Sequence, residues 1–170
     1  MTKMIDVKVA KNRLREEIWT ELEEKGVARL PLPCFGRIPN FVGSEKAAEK
    51  VRLLKEWKDA SVIFSSPDYA QHKVRENALL DRKLLVMASP KLKHGYLIVD
   101  PRNTRFAERF ASTIRGAFKH GTTIGTRNIP EPELIVEGSV AVDTRGHRLG
   151  KGHGYGDAEI ATLRKMFGVI

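Results

Sequence analysis

The sequence predicts a three-layer α/β domain: a mainly parallel sheet covered by helices on both faces. Strand-length apolar runs alternate with amphipathic helical stretches, and one run, Lys83 to Ala88, reads as a buried strand. A chain of 170 residues can bury one core, and no Pro/Gly/Ser-rich linker leads to a second, so a single domain over residues 1–170 is expected.

Asp6 to Lys25 forms an expected helix stopped by Gly26, with Val7, Ala10, Leu14, Ile18 and Leu22 on one face. Lys11 lies about 40° from the centre of that face, and Arg15 follows one turn later. A lysine so placed either snorkels at the stripe's edge or meets an anion. Arg29 to Gly43 is irregular, but Leu30, Leu32, Phe35, Ile38 and Phe41 need burial, which suits a loop over a pocket. Ser44 can cap a helix to about Trp57, with Ala47, Ala48, Val51 and Leu54 inward.

Ala60 to Ser65 is a predicted strand stopped by Ser66-Pro67-Asp68, and Tyr69 to Asp81 a helix. Lys83 to Ala88 and Gly95 to Val99 are strands. A helix then starts at Asn103 or Thr104 and ends near His120-Gly121, and Phe106, Phe110, Ile114 and Phe118 at i+4 spacing are its expected core face. After the irregular Ile129-Pro130-Glu131-Pro132-Glu133, Leu134 to Val142 is a strand, and Asp157 to Phe167 the last helix.

The charged fraction of 30% and net charge of +9 favour an anionic partner, which a nucleotide, a polyanionic cofactor or nucleic acid would satisfy. The basic residues are interleaved with acids along the chain, which weakens the nucleic-acid reading. No apolar run reaches the ~20 residues of a membrane span and the N-terminus is too charged for a signal peptide, so a cytoplasmic setting is expected. The single cysteine, Cys34, excludes an internal disulfide and reads as a buried small hydrophobe. His72, His94, His120, His147 and His153 have no metal-ligand spacing; His147 and His153 are candidate phosphate contacts, the others surface residues.

Between the last strand and the last helix, Gly150, Gly152 and Gly154 alternate with Lys151 and His153. Glycines there allow positive φ and leave backbone N–H groups bare to an anion, while Arg148, Lys151 and the N-terminus of the following helix supply positive charge. A phosphate site and a plain glycine-rich hairpin exit both fit. Asp157 beside a phosphate implies Mg²⁺ between the two anions, or only a helix N-cap.

Taken together, Lys11-x-x-x-Arg15, Glu131-Pro132 and Gly138-x-x-x-x-Asp143-x-x-Gly146-x-Arg148-Leu149-Gly150-x-Gly152-x-Gly154-Tyr155-x-Asp157 resemble the 5-formyltetrahydrofolate cyclo-ligase, or methenyltetrahydrofolate synthetase, family over nearly the whole chain. Ile38-Pro39-Asn40-Phe41 and Gly150-Lys151-Gly152-x-Gly154-Tyr155 are similar to its divergent synthetase-domain-containing branch. The resemblance implies a fold like that of sugar-phosphate isomerases and CoA transferases. It also implies an ATP- and Mg²⁺-dependent ligase that converts 5-formyltetrahydrofolate, or a related formylated pterin, to the 5,10-methenyl form.

On the resemblance, Lys11, Arg15, Arg148, Gly150, Lys151, Gly152, His153, Gly154 and Tyr155 hold ATP, with Lys11, Arg148 and Tyr155 catalytic. Phe41, Glu131 and Tyr155 contact the folate, and Asp157 binds Mg²⁺. The chain departs from the family pattern at Gly156, where a second tyrosine is usual, and over Gly36 to Gly43, where the folate-contacting segment lies. Further strands with a second acidic metal ligand usually follow the last helix, so a chain ending at Gly168-Val169-Ile170 is expected to lack them. A non-catalytic nucleotide- or RNA-binding protein on the same fold is the alternative, followed by a sugar-phosphate isomerase. Monomer and homodimer both remain open.

Overall fold

The structure, a computed structural model, describes residues 2–168, with side chains from residue 6 onward; Val169 and Ile170 at the chain end lie outside the described residues. Its centre is a five-stranded sheet built from β3 (Val62–Ser65), β4 (Leu84–Ala88), β5 (Tyr96–Val99), β6 (Thr122–Ile124) and β7 (Leu134–Val136), in the order β6-β5-β4-β3-β7. β3 pairs parallel with both β4 and β7, whereas β5 is antiparallel to β4 and β6. Four strands therefore point one way and β5 alone runs back. Its reversal follows from the short connection Ser89 to Gly95, which is closed on itself by the Ser89 N–H to Gly95 C=O bond of 3.0 Å and cannot hold a crossover helix.

Successive residues of these strands feed opposite cores, as the two-residue period requires. Ile63, Leu85, Met87, Leu97 and Val99 face one layer of helices. That layer comprises α2 (Ser44–Leu53), α3 (Lys55–Asp59), α4 (His72–Leu80), α5 (Glu108–Ala111) and α6 (Ile114–His120), which contribute Ala48, Trp57, Val74, Ala78, Leu79, Ala111 and Ala117. Phe64, Val86, Ala88 and Tyr96 face α7 (Tyr155–Phe167) through Leu163. A third, smaller core joins α1 (Thr2–Glu24) to β1 (Ala28–Arg29) through Trp19, Ala28, Cys34, Ile38 and Val140. β1 pairs antiparallel with β2 (Asn40–Phe41). Among the described residues no helix is long and apolar enough to cross a membrane.

Five expectations need correction. The helix expected from residue 103 to 120 is two. Thr113 restarts it as an N-cap, its Oγ1 accepting from Gly116 N–H at 2.9 Å, and Gly116 lies so close to the Phe110 carbonyl that a Cβ there would come within 1.7 Å of the oxygen. The restart breaks the i+4 register. Phe106 is 89% exposed, Phe110 and Phe118 are also exposed, and Ala111 and Ala117 pack in their place. The helix from Ser44 likewise breaks, at extended Leu54, which is exposed together with Ala47; the cap is Gly43 at φ 94°, and Trp57 is buried instead.

The strand expected over Leu134 to Val142 stops after Val136, and β8 (Ala141–Val142) leaves the sheet to form a hairpin with β9 (Arg148–Leu149). On α1, Val7 and Leu14 are exposed, and its C-terminal part packs, centred on Trp19, whose indole N–H donates to the Arg37 carbonyl. Of the apolar residues in the irregular stretch, Ile38 is buried together with Cys34, whereas Leu30, Leu32, Phe35 and Phe41 are exposed.

Candidate functional site

The carboxyl ends of three neighbouring parallel strands open on one cleft of about 610 Å³: Ser66-Pro67-Asp68 follows β3, Ser89-Pro90-Lys91 follows β4 and Glu137-Gly138 follows β7. Ligands in open α/β sheets collect at this edge. The β8–β9 hairpin, held by Val140 N–H to Leu149 C=O at 2.7 Å, delivers the glycine loop over the cleft. Gly152 and Gly154 take φ of 105° and 76°, values that L side chains rarely adopt. α7 starts directly from Gly154, two residues before the sequence suggests. Gly154 is thus the cap, and Asp157 sits in the first turn, not at the N-cap.

Helix α1 closes the cleft from above. Arg15 donates from Nε to the Gly150 carbonyl at 2.7 Å, and its guanidinium would lie 3.4 Å from a Cβ at Gly152. Lys11 borders the cleft one turn earlier, and Pro31, Arg37 and Ile38 of the irregular stretch complete its rim, so that stretch is the loop over a pocket that the sequence implies. Arg148 leaves β9 half-buried and spans three segments: its guanidinium donates to the Gly138 carbonyl at 2.8 Å, Ser139 Oγ at 3.2 Å and Asp157 Oδ1 at 2.7 Å.

Lys11, Arg15, Arg148, Gly150, Lys151, Gly152, His153, Gly154, Tyr155 and Asp157 therefore meet around one opening. Phe41, Glu131 and His147 do not. Phe41 belongs to the β1–β2 ladder, opposite Ala28. Glu131 is exposed near Glu133, whose carboxylate accepts from the N–H groups of Ser61 and Val62 at the opposite end of β3 from the cleft. His147 lies in the hairpin turn, its Nδ1 2.8 Å from Asp143 Oδ2.

Three acids under the loop were not foreseen: Asp68, Glu137 and Glu159. Glu159 shares the Tyr155–Glu159–Leu163 row of α7, and an acid in the same row as a fully buried leucine was the one available signal. Burial pushes the Glu159 carboxyl well above the usual carboxylate range, and the facing Glu137 and Asp68 add to it while Lys151 opposes. Glu137 is also raised, by burial first, with Arg148 opposing it. Asp68 is raised by burial against Lys151 and Arg75.

These raised carboxyls hold protons in the folded state that the unfolded chain releases, so stability falls as pH rises from about 5 through about 8. Glu159→Gln should remove the largest single share of that slope, the part that reaches highest in pH. Its melting temperature is expected to exceed the wild type by several degrees at pH 8.5 and to match it near pH 5, read from thermal melts across pH. Parallel curves for the two proteins would contradict the assignment.

The family model of the 5-formyltetrahydrofolate cyclo-ligase family matches residues 7–169. Similar curated proteins are methenyltetrahydrofolate synthase domain-containing proteins. The one from Bos taurus is 36% identical over 161 residues, covering 93% of this chain and 42% of the relative. Those from Danio rerio and Homo sapiens are 35% and 34% identical over 156 and 163 residues, covering 90% and 94% of this chain and 41% and 43% of theirs. The chain thus spans less than half the length of the relatives it matches.

Proposed function

The chain belongs to the 5-formyltetrahydrofolate cyclo-ligase family, and from that premise we propose that it is an ATP-dependent ligase closing 5-formyltetrahydrofolate, or a related formylated reduced pterin, to its 5,10-methenyl form with release of ADP and phosphate. The contact between Arg15 and Gly150 carries the reading, because it joins the Lys11/Arg15 helix face to the glycine loop in one cationic opening at the strand ends. Backbone N–H groups of the loop and the α7 N-terminus can take phosphate oxygens there, with Lys11, Arg15, Arg148 and Lys151 neutralising their charge. Tyr155, exposed at the start of α7 on the rim of the cleft, is assigned the contact between the triphosphate and the second substrate.

The chemistry asks mainly for position and charge. The formyl oxygen attacks the γ-phosphorus and ADP leaves; the second folate nitrogen then bonds to the formyl carbon, loses its proton and expels phosphate. Among the described residues no three acidic, histidine or cysteine side chains gather to hold a metal. Asp157, exposed and paired with Arg148, would be the carboxylate to hold Mg²⁺ beside the phosphates. Such an ion would screen the phosphate charge.

The test is ATP-dependent formation of the methenyl product, followed by its ultraviolet absorbance, with Lys11→Ala as the control. The variant is expected to lose about tenfold or more in ATP affinity and in rate. ATP bound without any product would overturn the ligase.

A second reading, nucleic-acid binding, is favoured by residues 102–120, where Arg105, Arg109, Arg115 and Lys119 outnumber the one acid, Glu108, beside exposed Phe106 and Phe110, while Arg102 is paired with Asp100. Binding of a single-stranded oligonucleotide that falls steeply with salt and weakens in Phe106→Ala would support it; no binding at low salt would remove it.

A further inference from the structure

We propose that Glu137 and Glu159 form a recognition subsite for the N–H edge of a flat heterocycle, one presenting a ring N–H beside an exocyclic amino group. Glu137 directly follows β7, Glu159 projects from α7, and both border the cleft. Glu159 is only 5% exposed, and the Oε2 atoms of both carboxyls are shut off from solvent without a donor from the described residues. Arg148, the cation that faces Glu137, directs Nε, Nη1 and Nη2 to Ser139, Asp157 and Gly138 respectively. A proton shared between the two carboxyls satisfies only part of their acceptor capacity. Buried carboxyl oxygens left without donors are costly, and the cleft is the side from which donors can come.

Gly156 keeps that side open. A Cβ at residue 156 would lie 2.7 Å from Glu137 Oε1 and 3.1 Å from Arg148 Nη2, so any larger residue would press on the carboxyl. The charged groups facing the pair are Asp68, Arg148 and Lys151. Carboxyl oxygens with spare acceptor capacity offer phosphate no donor and take N–H groups instead, which leaves phosphate to the Lys11/Arg15 side of the opening. The cleft is therefore polarised, with anion binding under α1 and donor binding under α7. A pterin, with N3–H beside its 2-amino group, has the matching edge; choosing the pterin among such heterocycles rests on the ligase reading.

Pterin and lumazine test this directly, since lumazine carries an oxygen in place of the 2-amino group. By fluorescence titration the wild-type protein is expected to bind pterin about tenfold or more tighter than lumazine, and Glu137→Ala to bind both equally and weakly. Gly156→Ala, whose added methyl meets the Glu137 carboxyl, should lose the same preference, with thermal melts confirming that each variant is folded. Equal binding of the two compounds by the wild type, binding of neither, or a preference that survives in folded Glu137→Ala overturns the subsite. Preference for pterin without methenyl product upholds the subsite and removes the ligase; product without the preference removes the subsite alone.

Discussion

Arg148→Ala is expected to lower kcat/KM for ATP by about 10²–10³-fold, the loss typical of removing one fixed donor from developing charge. The guanidinium is held by the Gly138 carbonyl, Ser139 Oγ and Asp157 at once, so under the proposed ligase reading it would meet an incoming phosphate already oriented. Arg148→Lys should recover only a small part of the rate. A lysine is a point charge on a flexible stem and cannot reach Gly138 and Ser139 of the β7–β8 connection and the first turn of α7 together. The alanine variant also leaves the Gly138 carbonyl short of a donor, at a cost of about 1–2 kcal/mol in stability. Steady-state kinetics and calorimetric ATP titration separate the two effects, because the stability cost is nearly common to both variants. Unchanged ATP affinity and turnover in Arg148→Ala would remove this residue from the phosphate site.

The parts of this site that were legible in the sequence are those whose residue types answer a local demand. Gly150, Gly152 and Gly154 announce a backbone conformation, and two of them take the positive φ they permit. Lys11 and Arg15 are one turn apart, so any helix puts them on one side. The strands Val62–Ser65, Leu84–Ala88 and Tyr96–Val99 follow from apolar runs between turn residues. What stayed hidden depends on tertiary contacts. The i+4 spacing of Phe106, Phe110 and Phe118 is real in the sequence, but Thr113 restarts the helix and Gly116 presses it against the Phe110 carbonyl, so small alanines meet the sheet. Glu137 looks like an ordinary surface acid, Glu159 departs from one only by sharing a helix row with Leu163, and folding alone sets the two together beneath the glycine loop. The reversal of β5 was readable from the shortness of Ser89 to Gly95, a signal of connection length, not of composition.

Arg75 carries the other large expectation. It sits on α4 at 2% exposure, where burial lowers its guanidinium to about 10 with Asp68 opposing. Nε donates to the Ser112 carbonyl at 2.8 Å, and Nη1 to the carbonyls of Ser66 at 2.7 Å and Asp68 at 2.9 Å. One side chain thus ties the turn after β3, which floors the cleft, to the break between α5 and α6. Replacing a buried charge by an apolar group of similar size is often neutral when its partner leaves with it. Here the partners are main-chain carbonyls and remain. Arg75→Met is therefore expected to cost about 3–5 kcal/mol, read as a lower urea midpoint at unchanged m-value, and Arg75→Lys to recover less than half, because an ammonium cannot span all three oxygens. In whatever fraction stays folded, the freed Ser66-to-Asp68 turn should loosen the acid side of the cleft before the phosphate side, so ligand contacts near Glu137 weaken while ATP binding at Lys11 and Arg15 is retained. A stability loss below about 1 kcal/mol would mean that water or a relaxed turn satisfies these carbonyls, and that the cleft floor does not depend on the arginine beneath it.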